Sequence, residues 1–521
     1  MNYILTNGYV LKADYKTWEA KSLLTRGNKI ELIGSLSECK LAARHTPEII
    51  DLKGKLLLPA FTDTHTHFVE FAKSSILVNL SSCNNLDEMQ VYLQNYRKNL
   101  FYPAKWILGG NWDRNKLSNP QQLNRHFLDN IFPDLPVALM GKDYHSKLCN
   151  SMAFNIVGID SLTPDPAGGH IERDAKGIPT GMLFETATEL LDRHVFLPAD
   201  AHIISAIRQS VQDIYSLGLI GFHSMESSHS RNLLLSAQQQ GQPFRLCWHF
   251  MPEDFELAVK ERIISYQGDE NYKPGGLKIF GDGSLGSQTA AMFEPYPEGG
   301  KGILRQSDSE LFSLMQQAAR HKIASTVHAI GNRCVRQVID STIRLGKDYQ
   351  GLFHRIEHVQ SIRNEDIPLL KQSGLFAALQ PVHLANDVPM IEKHWQGIQD
   401  QVYSFGSLLS AGIPLGFGSD SPIETINPFL GIYSAIQRRP QLNPQLPAFR
   451  PEEAISALQA IKAYSLSAAQ ASQSQQLRGS IEPGKLADLI VLDDFRTLPD
   501  EFWLTAKSHL TMLDGAIVHG A

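Results

Sequence analysis

The chain has 521 residues, of which 43% are apolar and 20% charged, the balance of an ordinary globular protein and not of a disordered or fibrous one. That length supplies a large core and a second domain besides. A formal net charge of −6 offers no basic face to nucleic acid or anionic lipid, so neither is expected as a partner.

Five cysteines are scattered with no CxxC pair, which argues against a disulfide framework and against a thiolate zinc site and fits a reducing compartment. The N-terminal MNYILTNGYVLKADYK has a polar break where a signal peptide carries its basic and apolar regions. No run approaches the ~20 apolar residues of a membrane span. A cytoplasmic location follows as the expectation.

The first stretches, YILTNGYVLKA, SLLTRGNKIELIG and EIIDLKGKLLLPA, alternate strand-like runs with hairpin chemistry at Asn7-Gly8 and Gly27-Asn28. The texture returns at the other end in GSIEPGKLADLIVLDD and HLTMLDGAIVHGA, with turns at Pro483-Gly484 and Asp514-Gly515. Residues 1–56 with 478–521 are therefore expected to form one composite β-sandwich, since chain termini commonly meet. Between them, candidate strands at 57–63, 106–112, 137–143, 219–225, 244–250, 277–281, 323–328, 354–358, 376–380 and 414–419 alternate with helix-like stretches. That pattern predicts an α/β fold, a (β/α)8 TIM-like barrel over 57–477. Counting back from the last strand leaves 106–112 and 137–143 as surplus, so an insertion at about 75–195, between strands 1 and 2 and over the active site, is expected. Gly275-Gly276 and the glycines around Asp282 read as turn residues.

Six metal-competent side chains stand in or at the ends of apolar runs: His65, His67, Lys278, His328, His358 and Asp420. His65 and His67 are two apart, so on an extended strand both imidazoles face the same way and can share one ion. A carboxylate at the end of a buried strand, as Asp420 would be, is costly unless paired or metal-bound. Lys278 in GLKIF would be a buried amine of lowered pKa. Neutral, it can add carbon dioxide and become a carbamate able to bridge two ions; the alternative is a snorkelling surface lysine. Strands ending on ligands at one barrel mouth predict a metal-dependent hydrolase. Trp112, Asp113, His145 and His383 are candidate substrate contacts, Trp112 alternatively packing and His145 alternatively structural. Glu185 and Glu357 are candidates for orienting histidines, Glu357 alternatively pairing with a neighbouring base.

The blocks TDTHTHF, ILGGNWD, DYHSKLCNSMAF, TPDPAGGHIERDAKGIPTGMLFE, LKIFGDGSLGSQTA, VHAIGN, RIEHVQ, LQPVH, GFGSDSPIETINPFLGI and GSIEPGKLADLIVLD resemble the amidohydrolase superfamily. The closer resemblance is to its YtcJ/AepA-like branch, the amidohydrolase 3 family, which includes N-substituted formamide deformylase. The resemblance implies His65 and His67 on one divalent ion and His328 and His358 on another, with zinc as the first expectation. It also implies a carboxylated Lys278 between the two ions and Asp420 as both ligand and proton shuttle. The expected reaction is hydrolysis of a C–N bond in a small amide, formamide or cyclic amide. A hydroxide bridging the ions is the expected nucleophile. Family members often form homodimers, and a homodimer is the expectation here. Ala60 replaces the usual glycine before the HxH strand and Asn332 the aspartate that often follows His-Ala-Ile-Gly; neither touches the ligand set. The same ions support ester or phosphoester hydrolysis as an alternative, and a non-catalytic scaffold is the remaining reading.

Overall fold

The computed structural model describes all residues except 1, 101–103, 115, 116, 118, 143, 144, 192, 196, 197, 347, 348, 350, 442 and 521. It comprises two compact units, Met1–Phe68 with Val211–Ala521, and Val69–Ser210.

The first unit holds eight parallel strands hydrogen-bonded in chain order. They are β1 (Phe61–Thr66), β2 (Leu219–Met225), β3 (Arg245–Phe250), β4 (Tyr272–Phe280), β5 (Ser325–Ala329), β6 (Arg355–His358), β7 (Phe376–Leu379) and β8 (Leu415–Phe417). Every residue of β1, β2 and β3 is buried, as expected of parallel strands covered on both faces. The ring is drawn together between β8 and β1 by a parallel bridge of Thr66 with Ser421 and by bonds from Asp420 N to His65 O (2.7 Å) and His67 N to Ser421 O (2.8 Å). Helices between strands carry ordinary sequence signals. Ser307 and Glu310 form a capping box that opens Asp308–Arg320, and its Leu311, Met315, Ala318 and Ala319 make the buried face.

Three sequence expectations change. Leu56–Pro59, read as the lead-in of the first barrel strand, belongs to another sheet, and the chain enters the barrel after Ala60, whose N–H bonds Asp488 O. Gly275 and Gly276 lie inside β4, not in a turn; a side chain at Gly275 would stand 2.6 Å from the His249 ring. Asn7-Gly8 joins no hairpin, because the strands it separates, Tyr3–Thr6 and Tyr9–Leu11, lie in different sheets. Gly27-Asn28 and Asp514-Gly515 do join antiparallel neighbours.

The terminal residues form a four-stranded sheet (Tyr3–Thr6, Ser22–Arg26, Lys29–Gly34, Glu48–Asp51) and a six-stranded one. The latter takes Leu56–Pro59 from one end of the chain and Leu489–Leu492 from the other as antiparallel partners. Tyr3, Leu5 and Leu23 of the first sheet and Val10, Leu57, Leu489 and Met512 of the second share one apolar cluster. Where the sequence predicts a separate terminal domain of 1–56 with 478–521, these sheets fall in the same compact unit as the barrel. A buried ion pair helps to explain why. Arg245, at the start of β3, reaches Asp488 Oδ1 (2.9 Å) and Asp514 Oδ1 (2.7 Å) on the terminal side, and the Arg245 and Asp488 side chains are 0% and 3% exposed. Removing one member of such a pair strands a buried charge, so Arg245→Ala is expected to cost about 3–5 kcal/mol, read from urea unfolding. A loss below about 1 kcal/mol would mark the pair as solvated.

The second unit interrupts the chain between β1 and β2 and is wider than the 75–195 predicted. Its six-stranded sheet runs Gly169–Arg173, Pro179–Glu185, Ser146–Cys149, Val137–Gly141, Ile107–Trp112, Val78–Asn79. It takes up both surplus strands, 106–112 and 137–143, of which residue 143 lies outside the described residues. Among the described residues no helix is long and apolar enough to cross a membrane.

Candidate metal centre

The carboxyl ends of the barrel strands bring the predicted ligands together. His65 is the penultimate residue of β1 and His67 follows its end; Asp420 lies three residues beyond β8. His65 Nδ1 is 2.5 Å from Glu357 Oε2 and His67 Nδ1 is 2.9 Å from Met225 O. Both contacts place the ring proton on Nδ1 and leave Nε2 as the donor to an ion. Both Nε2 atoms lie 3.4 Å from the same oxygen, Asp420 Oδ1. Asp63 fixes this register, accepting from His65 N (2.9 Å) and Ser419 N (3.2 Å); burial pushes its carboxyl up to about 7 in spite of those bonds. His358 and Asp420 both have φ in the left-handed region, 75° and 59°, a strained state that clusters at functional sites.

The imidazoles form a continuous row, with ring centroids 5.8 Å apart for His67–His65, 4.8 Å for His65–His358 and 4.5 Å for His358–His328. Burial, with the neighbouring positive groups, holds His358 well below its ordinary value and His328 at about 3, so both are neutral, the form that ligates. His328 Nε2 is 3.2 Å from Gly283 O and 3.4 Å from Asp282 Oδ1, which leaves Nδ1 as its donor. Lys278 is buried on β4; desolvation lowers its amine to about 8 against the pull of Glu357 and Asp420. Burial alone would raise the Asp420 carboxyl, but His65 and His67 outweigh it and hold it well below the usual carboxylate range.

The donor set fits a divalent ion. Buried His65 Nε2 and His358 Nδ1 have no hydrogen-bond partner among the described residues, an arrangement that costs free energy unless something takes up the lone pairs. Donors bound to zinc at about 2.0–2.1 Å in tetrahedral geometry stand roughly 3.3–3.4 Å apart, the spacing of the Asp420 Oδ1 contacts to His65 and His67.

Of the predicted substrate contacts, His383 joins this group: its Nε2, buried and without a partner among the described residues, is 3.6 Å from Asp420 Oδ2. The other three lie in the second unit. Trp112 is 2% exposed in an apolar cluster there with its indole N–H donating to Leu139 O (2.9 Å), the packing alternative given for it. Asp113 is half-buried just beyond the same strand. His145 is exposed and pairs through Nδ1 with Glu185 Oε2 at 3.0 Å, so the histidine that Glu185 orients is His145. Glu357 satisfies both of its readings, contacting His65 and also Arg355 (2.9 Å).

A second donor set was not anticipated. Buried His223, Cys247 and His249 bring their ligand atoms within 4.8 Å of one another. The signal was present in RLCWHF, where Cys247 and His249 have the two-residue spacing of the HxH run, but no turn or strand end drew attention to it. Arg355 Nη1 lies 2.7 Å from His223 Nδ1 and 3.1 Å from His249 Nε2, so a cation already faces this set.

Residues 48–519 match the amidohydrolase family. YtcJ of Bacillus subtilis is 30% identical over 484 residues, 91% of this chain and 90% of that protein. The N-substituted formamide deformylase of Arthrobacter pascens is 28% identical over 510 residues, 94% of this chain and 93% of that one. An uncharacterized metal-dependent hydrolase from Pyrococcus horikoshii shares the fold, with a TM-score of 0.77 at 24% identity over 96% of this chain and 99% of that chain. With a family match that spans residues 48–519, the whole barrel included, the chain belongs to the amidohydrolase family.

Proposed function

We propose that this protein is a metal-dependent hydrolase that cleaves a C–N bond in a small amide, formamide or cyclic amide. The supporting observation is the convergence of His65 Nε2 and His67 Nε2 on Asp420 Oδ1, each at 3.4 Å, beside the row of neutral imidazoles. His65, His67 and Asp420 would hold one divalent ion and His328 and His358 a second, with Lys278, as its carbamate, shared between them. Ions held there supply Lewis acidity toward a carbonyl and a water nucleophile at neutral pH. Asp420 has Oδ1 turned to the two histidines, so Oδ2 takes the proton from the attacking water and returns it to the leaving nitrogen. His383 Nε2, 3.6 Å from that oxygen, donates to the substrate beside the reacting carbon. The similarity to a formamide deformylase favours an N-formyl group among the candidate substrates.

Two measurements test this reading together: metal content of the purified protein, and turnover of N-formyl amines, N-acyl amines and cyclic amides against matched esters and phosphoesters. Metal-dependent turnover confined to the C–N substrates is expected. Turnover of the esters alone would remove the C–N assignment, and full activity after chelation would remove the metal.

A further inference from the structure

Arg355 opens β6 and is completely buried inside the barrel. Its Nε donates to Glu357 Oε1 (2.9 Å). Nη2 donates to Thr64 O (2.7 Å) and Glu357 Oε2 (3.2 Å). Nη1 faces His223 Nδ1 (2.7 Å) and His249 Nε2 (3.1 Å). His249 Nδ1 accepts from Gly276 N–H (3.0 Å) and lies 2.8 Å from Thr326 Oγ1, so the acceptor that Nη1 meets in this set is His223 Nδ1. One side chain therefore links two groups of metal-competent donors. Through Glu357 it reaches His65, one of the ligands at the mouth; directly, it occupies the space between His223 and His249.

We propose that Arg355 is a positioning residue that decides which of the two donor sets takes a divalent ion. It holds Glu357 against His65 Nδ1, so that His65 Nε2 is left facing Asp420, and its own charge fills the His223, Cys247, His249 set. This rests on the reading of the mouth set as the metal centre. A planar, permanently charged fork suits the task, because it can grip a carboxylate through two oxygens while a third edge points elsewhere. The thiol it guards is also in its inert form, since burial pushes Cys247 up to about 11. The inner set is wholly buried and includes a soft sulfur ligand, so with the guanidinium removed it is the better site for a thiolate-seeking ion.

Cobalt(II) reports both halves, because a thiolate ligand gives a near-ultraviolet charge-transfer band that nitrogen and oxygen ligands do not. Apo-protein titrated with cobalt should bind without that band in the wild type. Arg355→Met should bind about 10–100-fold more weakly at the mouth and acquire the band, which Cys247→Ser in the same background should abolish. Wild-type affinity in Arg355→Met, or a thiolate band already in the wild type, would overturn the proposal. Should Arg355→Met not fold, Glu357→Gln carries the test: it leaves the arginine in place, so affinity at the mouth should fall by the same about 10–100-fold with no band, and unchanged affinity would overturn it. Nitrogen-15 spectra of the wild-type apo-protein give a third check, expected to show the His65 proton on Nδ1 and overturning the proposal if it is on Nε2. A wild type that takes up no divalent ion would instead remove the proposed function itself, which separates the two failures.

Discussion

Asp420→Asn is expected to retain its metal and lose about 10²–10⁴ in kcat. Asparagine has the shape of aspartate and keeps one acceptor oxygen, which can stand where Asp420 Oδ1 stands, 3.4 Å from both His65 Nε2 and His67 Nε2. The other position becomes an amide nitrogen, which has no lone pair to accept a proton from water and no reason to release one to a leaving group. Substrate binding should change little, since the proton moves only in the reacting state. Turnover at saturating substrate and metal per chain, measured on one preparation, check the outcome. Near-wild-type kcat would rule out Asp420 as the shuttle. Loss of the ion along with the activity would show that the full negative charge of Asp420 is required simply to hold it.

The barrel was legible in the sequence because most of its strands are largely apolar, largely buried runs of about the right length. The run 219–225 coincides with β2 residue for residue. The candidate ligands stood out for a related reason: a His, Lys or Asp set into such a run is conspicuous, and strand ends of a barrel converge. What failed was whatever depends on partners distant in the chain. Asn7-Gly8 has the local chemistry of a hairpin, and Asn7 does adopt a positive φ of 56°, yet the strands on either side bond to different neighbours. Local turn preference fixes the bend but not the sheet that each arm joins. The same limit hid Arg355. Read in sequence it is a base two residues from Glu357; its other contacts, on Thr64, His223 and His249, come from three other strands, 291, 132 and 106 residues away. Trp112 shows the converse, since a tryptophan in a glycine-rich strand reads first as core and second as a platform, and its indole N–H bonding Leu139 O agrees with the packing reading.

Lys278→Ala is expected to lose one of two ions and about 10²–10³ in activity, the several kcal/mol that one ion contributes to stabilising developing charge. The argument starts from burial. Desolvation lowers the Lys278 amine to about 8, with Glu357 and Asp420 opposing, so a substantial fraction is neutral in mildly alkaline solution. The neutral nitrogen can add to carbon dioxide: a C–N bond forms, a proton leaves to solvent, and the side chain becomes a carbamate of charge −1. As an ammonium, Lys278 would repel a cation from His328 and His358; as a carbamate it attracts one. Alanine abolishes both states and leaves a space that a small carboxylate can enter. Formate, acetate or propionate should therefore restore part of the second ion and part of the activity, measured as metal per chain and turnover with and without each acid. Wild-type apo-protein should take up its second ion faster when bicarbonate is present. That advantage should grow as pH rises through about 8, because the neutral fraction grows in that direction, and it should be absent from Lys278→Ala. Two full equivalents of metal in Lys278→Ala, with no effect of carboxylate or bicarbonate, would mean that the histidines and Asp420 hold both ions unaided and that Lys278 is only a buried amine.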